Sequence, residues 1–413
     1  LEPLAMLIMQ ERVGSESELE RLAEKHIKGN VKSAEDALQG ARDIIAENVS
    51  EDEKCRNAVR REFSYTSTIT SKVIKGKEAE GDKFKDYFDF SEPLKRCSSH
   101  RLLAMRRGER EGILRVSISP DDDLAEEKIL RLRVRRSGAS SEHIKIACHD
   151  AYKRLLKPSI ETEFAAASKE KADEEAIAVF ASGLHQLLLA SPLGPKRVMG
   201  IDPGFRTGCK VVCLDSQGML ICHDVIFPHP PVSKQAEARQ KIVLLAEKYA
   251  IEAISIGNGT AGRETEQFVR SIPELQHIEV YSVNEDGASI YSASKIGREE
   301  FPDEDVTVRG AVSIARRLVD PLAELVKIDS KSIGVGQYQH DVDQTALKRQ
   351  LDQTVVSCVN LVGVDLNTAS KHLLTYISGL GPTLAQNIID YRAEHGGFKT
   401  RKELLKVKRL GEK

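Results

Sequence analysis

Apolar residues recur at helical spacing through the first half of the chain. Between residues 34 and 49 one helical face carries only apolar side chains, namely Ala37, Leu38, Ala41, Ile44, Ile45 and Ala46. Comparable patterns predict helices at 17–27, 94–107, 123–128, 143–156 and 165–190, with a short strand at 113–118. The stretch 68–90 is rich in lysine, aspartate and glycine and is interpreted as a surface excursion. Pro192 and Pro195 end the last helix, so residues 1–195 are predicted to form one helical region.

The pattern changes at Val198, where short apolar runs alternate with helical segments. Strands are predicted at 198–201, 210–214, 220–226, 253–256 and 279–283, with helices after the third and fourth strands. A loop of nearly twenty residues then precedes a final helix at 308–326. Three strands in a meander followed by strand, helix, strand and helix is the order of a ribonuclease H-like sheet rather than a Rossmann repeat. Residues 196–327 are therefore predicted to form one α/β module of this type.

Residues 328–413 return to helical spacing. A glycine-containing loop at 332–341 precedes predicted helices at 343–359, 368–377 and 383–395. The run from Ile377 to Ala385 closes one helix and opens the next through an apolar-x-Gly-apolar-Gly turn, which is the helix-hairpin-helix arrangement. A second copy starts at 401–407 and breaks off at Leu410-Gly411. The predicted fold class is thus a mainly α multidomain protein with one α/β ribonuclease H-like module.

Composition narrows the class of protein. The 413 residues suit two to four domains, and 40% hydrophobic with 30% charged residues is typical of a globular protein with helical surfaces. No apolar run approaches the roughly 20 residues of a membrane span. Seven single cysteines without a C-x-x-C pair favour a reducing cytoplasm and give no metal or cofactor site. The start lacks both an initiator methionine and a basic signal region, which suggests a piece of a longer cytoplasmic chain with no membrane partner.

The hairpin turn is the candidate nucleic-acid site. Gly379 and Gly381 leave backbone N–H groups bare, and the helix opening at Thr383 adds a partial positive charge, so the turn suits a phosphate group. From residue 371 to residue 413 nine Lys/Arg against four Asp/Glu leave a net charge of +5. The remaining candidate contacts belong to the partial second copy: Lys406, Lys408, Arg409 and Gly411. The alternative is a tight turn in a packed helical bundle with a solvated basic face.

The ribonuclease H-like module presents a second candidate site at Asp202, which ends its first strand before a Pro-Gly turn. Cleavage of phosphodiesters by two metal ions needs several converging carboxylates. The fourth strand runs into neutral Asn258, and the final helix opens with Arg309, which we expect to repel a metal. Glu285 and Asp286 follow the fifth strand and could contribute. Asp202 and Glu285 are therefore interpreted as remnants of a metal site in a protein that is not an enzyme, with a metal-dependent nuclease as the alternative.

The loop 334–341 mixes glycines with Tyr338, Gln339 and His340. It could stack on or hydrogen-bond a nucleobase, although a connector packed against the sheet explains it equally well.

Several long motifs resemble those of the Tex family of bacterial transcription accessory proteins. They are Gly200–Gly208, Gly257–Thr260, Arg309–Lys327, Gly334–Val342 and Val362–Ser370, together with Ser99-His100-Arg101. The resemblance implies a helical N-terminal region, a YqgF-type module, tandem helix-hairpin-helix units and a C-terminal OB-fold RNA-binding domain that this chain lacks. It also implies a nucleic-acid binder, of RNA or DNA, linked to the transcription machinery. A scaffold that binds only proteins is the remaining possibility.

Overall fold

The computed structural model describes residues 1–334, 336, 338–367 and 369–411. The chain forms two compact units, Leu1–Ala176 and Ile177–Lys413. The division between them falls inside one long helix.

The first unit is mostly helical. Its helices are α1 (Glu2–Met9), α2 (Glu16–Glu24), α3 (Ala34–Glu51), α4 (Glu53–Thr66), α5 (Ser99–Arg110), α6 (Asp122–Arg133) and α7 (Ala139–Asp150), followed by a π-helical segment, Ala151–Leu156, and α8 (Lys157–Leu188). Asp52 ends α3 and its carboxylate accepts a hydrogen bond from Cys55 N at 2.9 Å. This side chain satisfies an otherwise free donor in the first turn of α4, so Asp52 marks the boundary between α3 and α4.

Within its described residues the first unit also contains a three-stranded antiparallel sheet. The strands are β1 (Thr68–Val73), β2 (Asp89–Pro93) and β3 (Leu114–Ser119), in the order β2-β1-β3. The expectation of a surface excursion at 68–90 is therefore wrong, because two strands and a 3-10 helix (Asp82–Tyr87) occupy it. Only alternate residues of β1, such as Ile69 and Ser71, are buried. The strand therefore has no continuous apolar run in the sequence, and its pairing with β3 identifies it.

The second unit is built, in the part the structure describes, on a five-stranded sheet. Its strands are β4 (Val198–Asp202), β5 (Cys209–Leu214), β6 (Leu220–Ile226), β7 (Ala253–Gly257) and β8 (Glu279–Val283), in the order β6-β5-β4-β7-β8. β4, β5 and β6 pair antiparallel, while β4, β7 and β8 pair parallel. This is the predicted ribonuclease H-like order.

Helices cover both faces of the sheet. The helices of this unit that follow α8 are α9 (Gln235–Lys248), α10 (Gly262–Arg270), α11 (Ala288–Ala293), α12 (Lys295–Glu300), α13 (Val306–Val319), α14 (Pro321–Leu325), α15 (Gln344–Val362), α16 (Lys371–Leu374) and α17 (Pro382–His395). One face packs against α9 and α10, and the other packs against α13. A Cβ on Gly200 of β4 would lie 2.9 Å from Ala311 O, so glycine lets α13 approach the sheet closely. The close approach brings the middle of α13 to the carboxyl end of β4.

Two expectations for this unit need correction. The predicted loop before the final helix contains α11 and α12, which Ser294 joins by ending one helix and capping the other through Gly297 N at 3.0 Å. The predicted single helix at 308–326 is broken at Asp320 into α13 and α14. All seven cysteines, each in the described part of the chain, are free thiols.

Candidate nucleic-acid interface

The carboxyl ends of the parallel strands β4, β7 and β8 meet at one edge of the sheet. Asp202 closes β4 there and is half-buried. Burial, and after it the negative charge of Glu285, raise the pKa of its carboxyl to about 6, with Lys210 opposing both effects. The structure therefore brings Asp202 and Glu285 within electrostatic range of each other, although the strands that they follow, β4 and β8, lie on either side of β7.

The Glu285 carboxylate lies over the glycines that follow β7. A Cβ on either Gly257 or Gly259 would collide with its oxygens. Asn258 Oδ1 accepts a hydrogen bond from Glu285 N at 3.3 Å, and Asn258 N donates to Val283 O at 3.0 Å. Asn258 thus ties the two loops together instead of supplying a carboxylate. The buried Glu285 Oε2 has no hydrogen-bond partner among the described residues.

The expectation that Arg309 repels a metal is wrong, because its guanidinium points away from the acids. Arg309 is buried, and it donates to Phe301 O from Nε at 3.0 Å and to Ser292 O from Nη1 at 2.9 Å. The next residue, Gly310, faces the site, since a Cβ built on it lies 3.7 Å from Asp202 Oδ2. A hydrogen atom occupies the position from which a third carboxylate could reach Asp202.

The donor set of this edge does not suit a two-metal centre. Among the residues that the structure describes, no group of three or more His, Cys, Asp or Glu side chains could hold a metal ion. Asp286 is directed elsewhere, because a Cβ on Gly334 would collide with its carboxylate. The carboxylates of Asp202 and Glu285, with Gly310 as their neighbour on α13, provide fewer ligands than a centre of two metal ions requires.

The first hairpin turn lies between α16 and α17. Gly379 has a φ of +86°, and Gly381 caps α17 with an extended backbone before Pro382. Both glycines are exposed, and a Cβ on either would meet no atom within 4 Å. Neither N–H donates a hydrogen bond to another described residue. With the exposed Thr383 in the first helical turn, the turn therefore offers free donors at the positive end of a helix.

Asn360 at the end of α15 holds this turn in place. Its Oδ1 accepts from Ser378 N at 3.0 Å, and its Nδ2 donates to Tyr376 O at 3.0 Å. Sequence reasoning missed Asn360, because a polar residue at the end of a helix gives no sign of the loop that it contacts.

The second turn, from Val407 to Gly411, repeats the first. Arg409 has a φ of +69°, and Leu410 N donates to Val407 O at 3.0 Å, as Leu380 N donates to Ile377 O at 2.9 Å. Lys406, Lys408 and Arg409 are all exposed, and Gly411 is half-buried. Lys408 O accepts from Asn387 Nδ2 of α17 at 2.8 Å, which joins the second turn to the first hairpin. Glu412 and Lys413, which the sequence places in the basic patch, lie outside the described residues.

The motif 362–370 has a structural role in the same unit. Asn367 exchanges two hydrogen bonds with Phe398, from Phe398 N at 2.7 Å and to Phe398 O at 3.0 Å. Arg392 Nη1 donates to Leu366 O and Ala369 O, both at 2.9 Å. These contacts fasten α17 to the loop before α16. Thr368, in the middle of this motif, lies outside the described residues.

In the loop 334–341, Val335 and Gln337 lie outside the described residues. Gln339 is buried and donates from Nε2 to Lys331 O, while a Cβ on Gly336 would collide with the Phe180 ring. These contacts fit a packed connector better than an open base-binding loop.

A ribonuclease H-like module followed by paired helix-hairpin-helix turns is an architecture typical of nucleic-acid-binding proteins. Residues 15–180 match the Tex central region-like family, residues 196–319 the Tex protein YqgF-like domain, and residues 359–413 the helix-hairpin-helix motif. The chain belongs to the Tex family.

Curated relatives agree with this assignment. The chain is 49% identical to "Protein YhgF" of Escherichia coli, with 91% of the chain and 50% of that protein covered. It is 45% identical to "Transcriptional accessory protein Tex" of Neisseria gonorrhoeae, with 100% and 55% covered, and 38% identical to the human "S1 RNA-binding domain-containing protein 1", with 94% and 40% covered. The chain thus spans about half the length of the bacterial relatives. None of its described helices is long and apolar enough to cross a bilayer.

Proposed function

We propose that this chain binds RNA or DNA by contacting the sugar-phosphate backbone of the nucleic acid, without base preference. We propose that it acts in this way as part of a transcription accessory protein. The observation that carries the proposal is the pair of matching turns, in which Gly379 and Gly381 present free N–H groups and Lys406, Lys408 and Arg409 add exposed cations. Backbone donors and flexible cations contact phosphates, which are the same in every sequence. The names of the Neisseria and human relatives support the link to transcription and to RNA.

The test is a titration of the chain against labelled single- and double-stranded RNA and DNA of random sequence at several salt concentrations. We expect affinity to fall with salt by about 0.9 logarithmic units per tenfold salt for each neutralised phosphate of a duplex. The double substitution Lys406→Gln and Lys408→Gln should reduce this slope by the amount expected for the loss of one or two phosphate contacts. Lys196→Gln, on an exposed lysine far from the turns in sequence, is the matched control and should leave the slope unchanged. Absence of binding at low salt overturns the proposal.

We also propose that the ribonuclease H-like module does not cleave nucleic acid. The support is that Asn258 and Gly310 supply no carboxylate beside Asp202 and Glu285, so that this pair stands without the further acids that two metal ions need. Labelled junction, duplex and single-strand substrates incubated with Mg²⁺ or Mn²⁺ should remain intact. Cleavage that Asp202→Asn abolishes would establish the nuclease alternative instead.

Association with the transcription machinery is a further part of the proposal, supported by the family. Pull-down of RNA polymerase from a lysate treated with nuclease tests it, since partners held only through nucleic acid are then lost. Recovery of polymerase with both the parent chain and the Lys406/Lys408 variant would indicate direct protein contact.

A further inference from the structure

Three aromatic rings lie side by side at the C-terminal end of α17. Tyr391 stacks on His395 with ring centroids 4.0 Å apart and planes 13° apart, and on Phe398 at 5.0 Å and 23°. Phe398 is buried, Tyr391 is half-buried and His395 is exposed. Because Tyr391 makes both contacts, the rings form a column that starts in the protein core and ends at the solvent.

The outermost ring is held in one orientation. His395 Nδ1 lies 3.0 Å from Tyr391 O. Because a carbonyl oxygen only accepts, Nδ1 carries the proton and donates this hydrogen bond. The ring is thereby fixed on Tyr391 before any ligand arrives, which reduces the entropy lost on binding.

The column opens on a cleft of about 520 Å³ between α17 and the second turn. The cleft is lined by Asn387, Asp390, Tyr391, Glu394, His395, Lys406 and Lys408. The two lysines are exposed beside the rings and suit a phosphate group, whereas Asp390 and Glu394 would repel one. Carboxylates instead accept hydrogen bonds from the amino groups of adenine, cytosine and guanine, whereas thymine has no amino group. The cleft thus combines a stacking ring, acceptors for a base edge and cations for the backbone.

We propose that the exposed face of His395 stacks on an unpaired nucleobase, preferentially one that carries an amino group, while Lys406 and Lys408 contact the adjoining phosphates. This inference rests on the proposed nucleic-acid binding and assigns it a substrate class, a single strand or an unpaired end. Aromatic platforms accept bases only where those bases are not paired within a duplex. The duplex is therefore held by its backbone alone, and the single strand gains one stacked base.

The test uses short single-stranded DNA that carries 2-aminopurine, whose fluorescence falls when the base stacks. The chain contains no tryptophan, so protein emission does not interfere. We expect quenching on binding and about fivefold or greater weakening of single-strand affinity by His395→Ala, from the usual contribution of one stacked base. His395→Phe keeps a ring at this position and should retain both the quenching and the affinity, whereas duplex affinity should change little in either variant.

The outcomes separate this inference from the proposal on which it rests. Single-strand binding without quenching, or equal affinity of His395→Ala and the parent chain, overturns the stacking and leaves backbone binding intact. Absence of binding to any nucleic acid overturns both. Equal affinity for adenine-, cytosine- and thymine-rich strands removes the base preference assigned to Asp390 and Glu394.

Discussion

Gly379 and Arg409 occupy the same position in two successive turns and share a left-handed backbone, with φ values of +86° and +69°. Glycine adopts this conformation without strain, whereas an arginine pays a steric penalty of about 1–2 kcal/mol. The second turn therefore accepts strain and gains a cation at the position where the first turn has only backbone.

Substitution of each residue in turn should separate the effect of backbone strain on stability from the effect of charge on nucleic-acid binding. Gly379→Ala should destabilise the second unit by about 1 kcal/mol, because alanine enters the left-handed region although no atom lies within 4 Å of its Cβ. The measurement is urea unfolding followed by circular dichroism. Gly381→Ala is the matched control, since its φ of −78° suits any residue and its surroundings are also open. Equal losses in the two variants would show that φ at Gly379 is not the cause.

Arg409→Gly should have opposite effects on stability and on binding. Removal of the strained side chain should leave stability equal or slightly higher, while nucleic-acid affinity falls through the loss of one cation. Thermal unfolding and a salt-dependent titration report the two effects. A stability loss of more than about 1 kcal/mol would mean that the Arg409 side chain makes a stabilising contact that outweighs its strain.

Asp202→Asn should stabilise the protein at neutral pH. The folded-state pKa of Asp202 is raised to about 6 from 3.8, so the native state binds its proton more tightly than the unfolded state does. The stability from this group is fully present below pH 4 and is lost as pH rises through 6. The neutral variant escapes that loss, and we expect a gain of roughly 1–2 kcal/mol at pH 7.5 after allowance for solvent screening.

The control for this prediction is Asp303→Asn, which replaces an exposed aspartate in the same unit. Denaturant unfolding at pH 4 and pH 7.5 should show a gain for the Asp202 variant only at the higher pH. A gain of the same size at both pH values would point to a cause other than ionisation.

Gly310→Asp should add the missing acid to the sheet edge. A Cβ fits at this position, since the nearest atom that it meets is Asp202 Oδ2 at 3.7 Å, and it directs the new side chain towards that carboxylate. We expect lower stability without metal, because like charges repel, and a rise in melting temperature on addition of Mn²⁺. Gly310→Asn has nearly the same size without the charge and should not respond. An equal Mn²⁺ response in the parent chain would show that Asp202 and Glu285 already bind the ion.

Asn360→Ala should weaken nucleic-acid binding without changing any charge. The substitution removes the hydrogen bonds to Ser378 N and Tyr376 O that position the first turn. We expect a stability loss of at most about 0.5–1.5 kcal/mol for each hydrogen bond. The loss is limited because water can bond the exposed Ser378 N and Tyr376 O in the variant. Ser357→Ala on the same helix is the control, and titration of a labelled single strand is the measurement. Unchanged affinity would show that the turn keeps its shape without Asn360.

The strand order of the second unit was predictable, because buried parallel strands such as β7 are continuous apolar runs separated by helical spacing. The proximity of Asp202 and Glu285 was predictable because both follow parallel strands, whose carboxyl ends meet at one edge of a sheet. The direction of Arg309 was not predictable, because it depends on carbonyls of Ser292 and Phe301 in a segment interpreted as a loop. Helices as short as α11 and α12 carry too little periodicity to detect; α11 packs against α13, and α12 packs against α11.

The helix Lys157–Leu188 runs without interruption through the point where the two compact units divide. Proteases bind their substrates as extended segments, whereas the backbone at this junction is helical and its N–H groups already donate hydrogen bonds within the helix. Limited digestion should therefore spare residues near Ala176 and cut first in surface loops. Separate expression of either unit is better attempted by keeping whole turns of this helix than by trimming at a presumed linker.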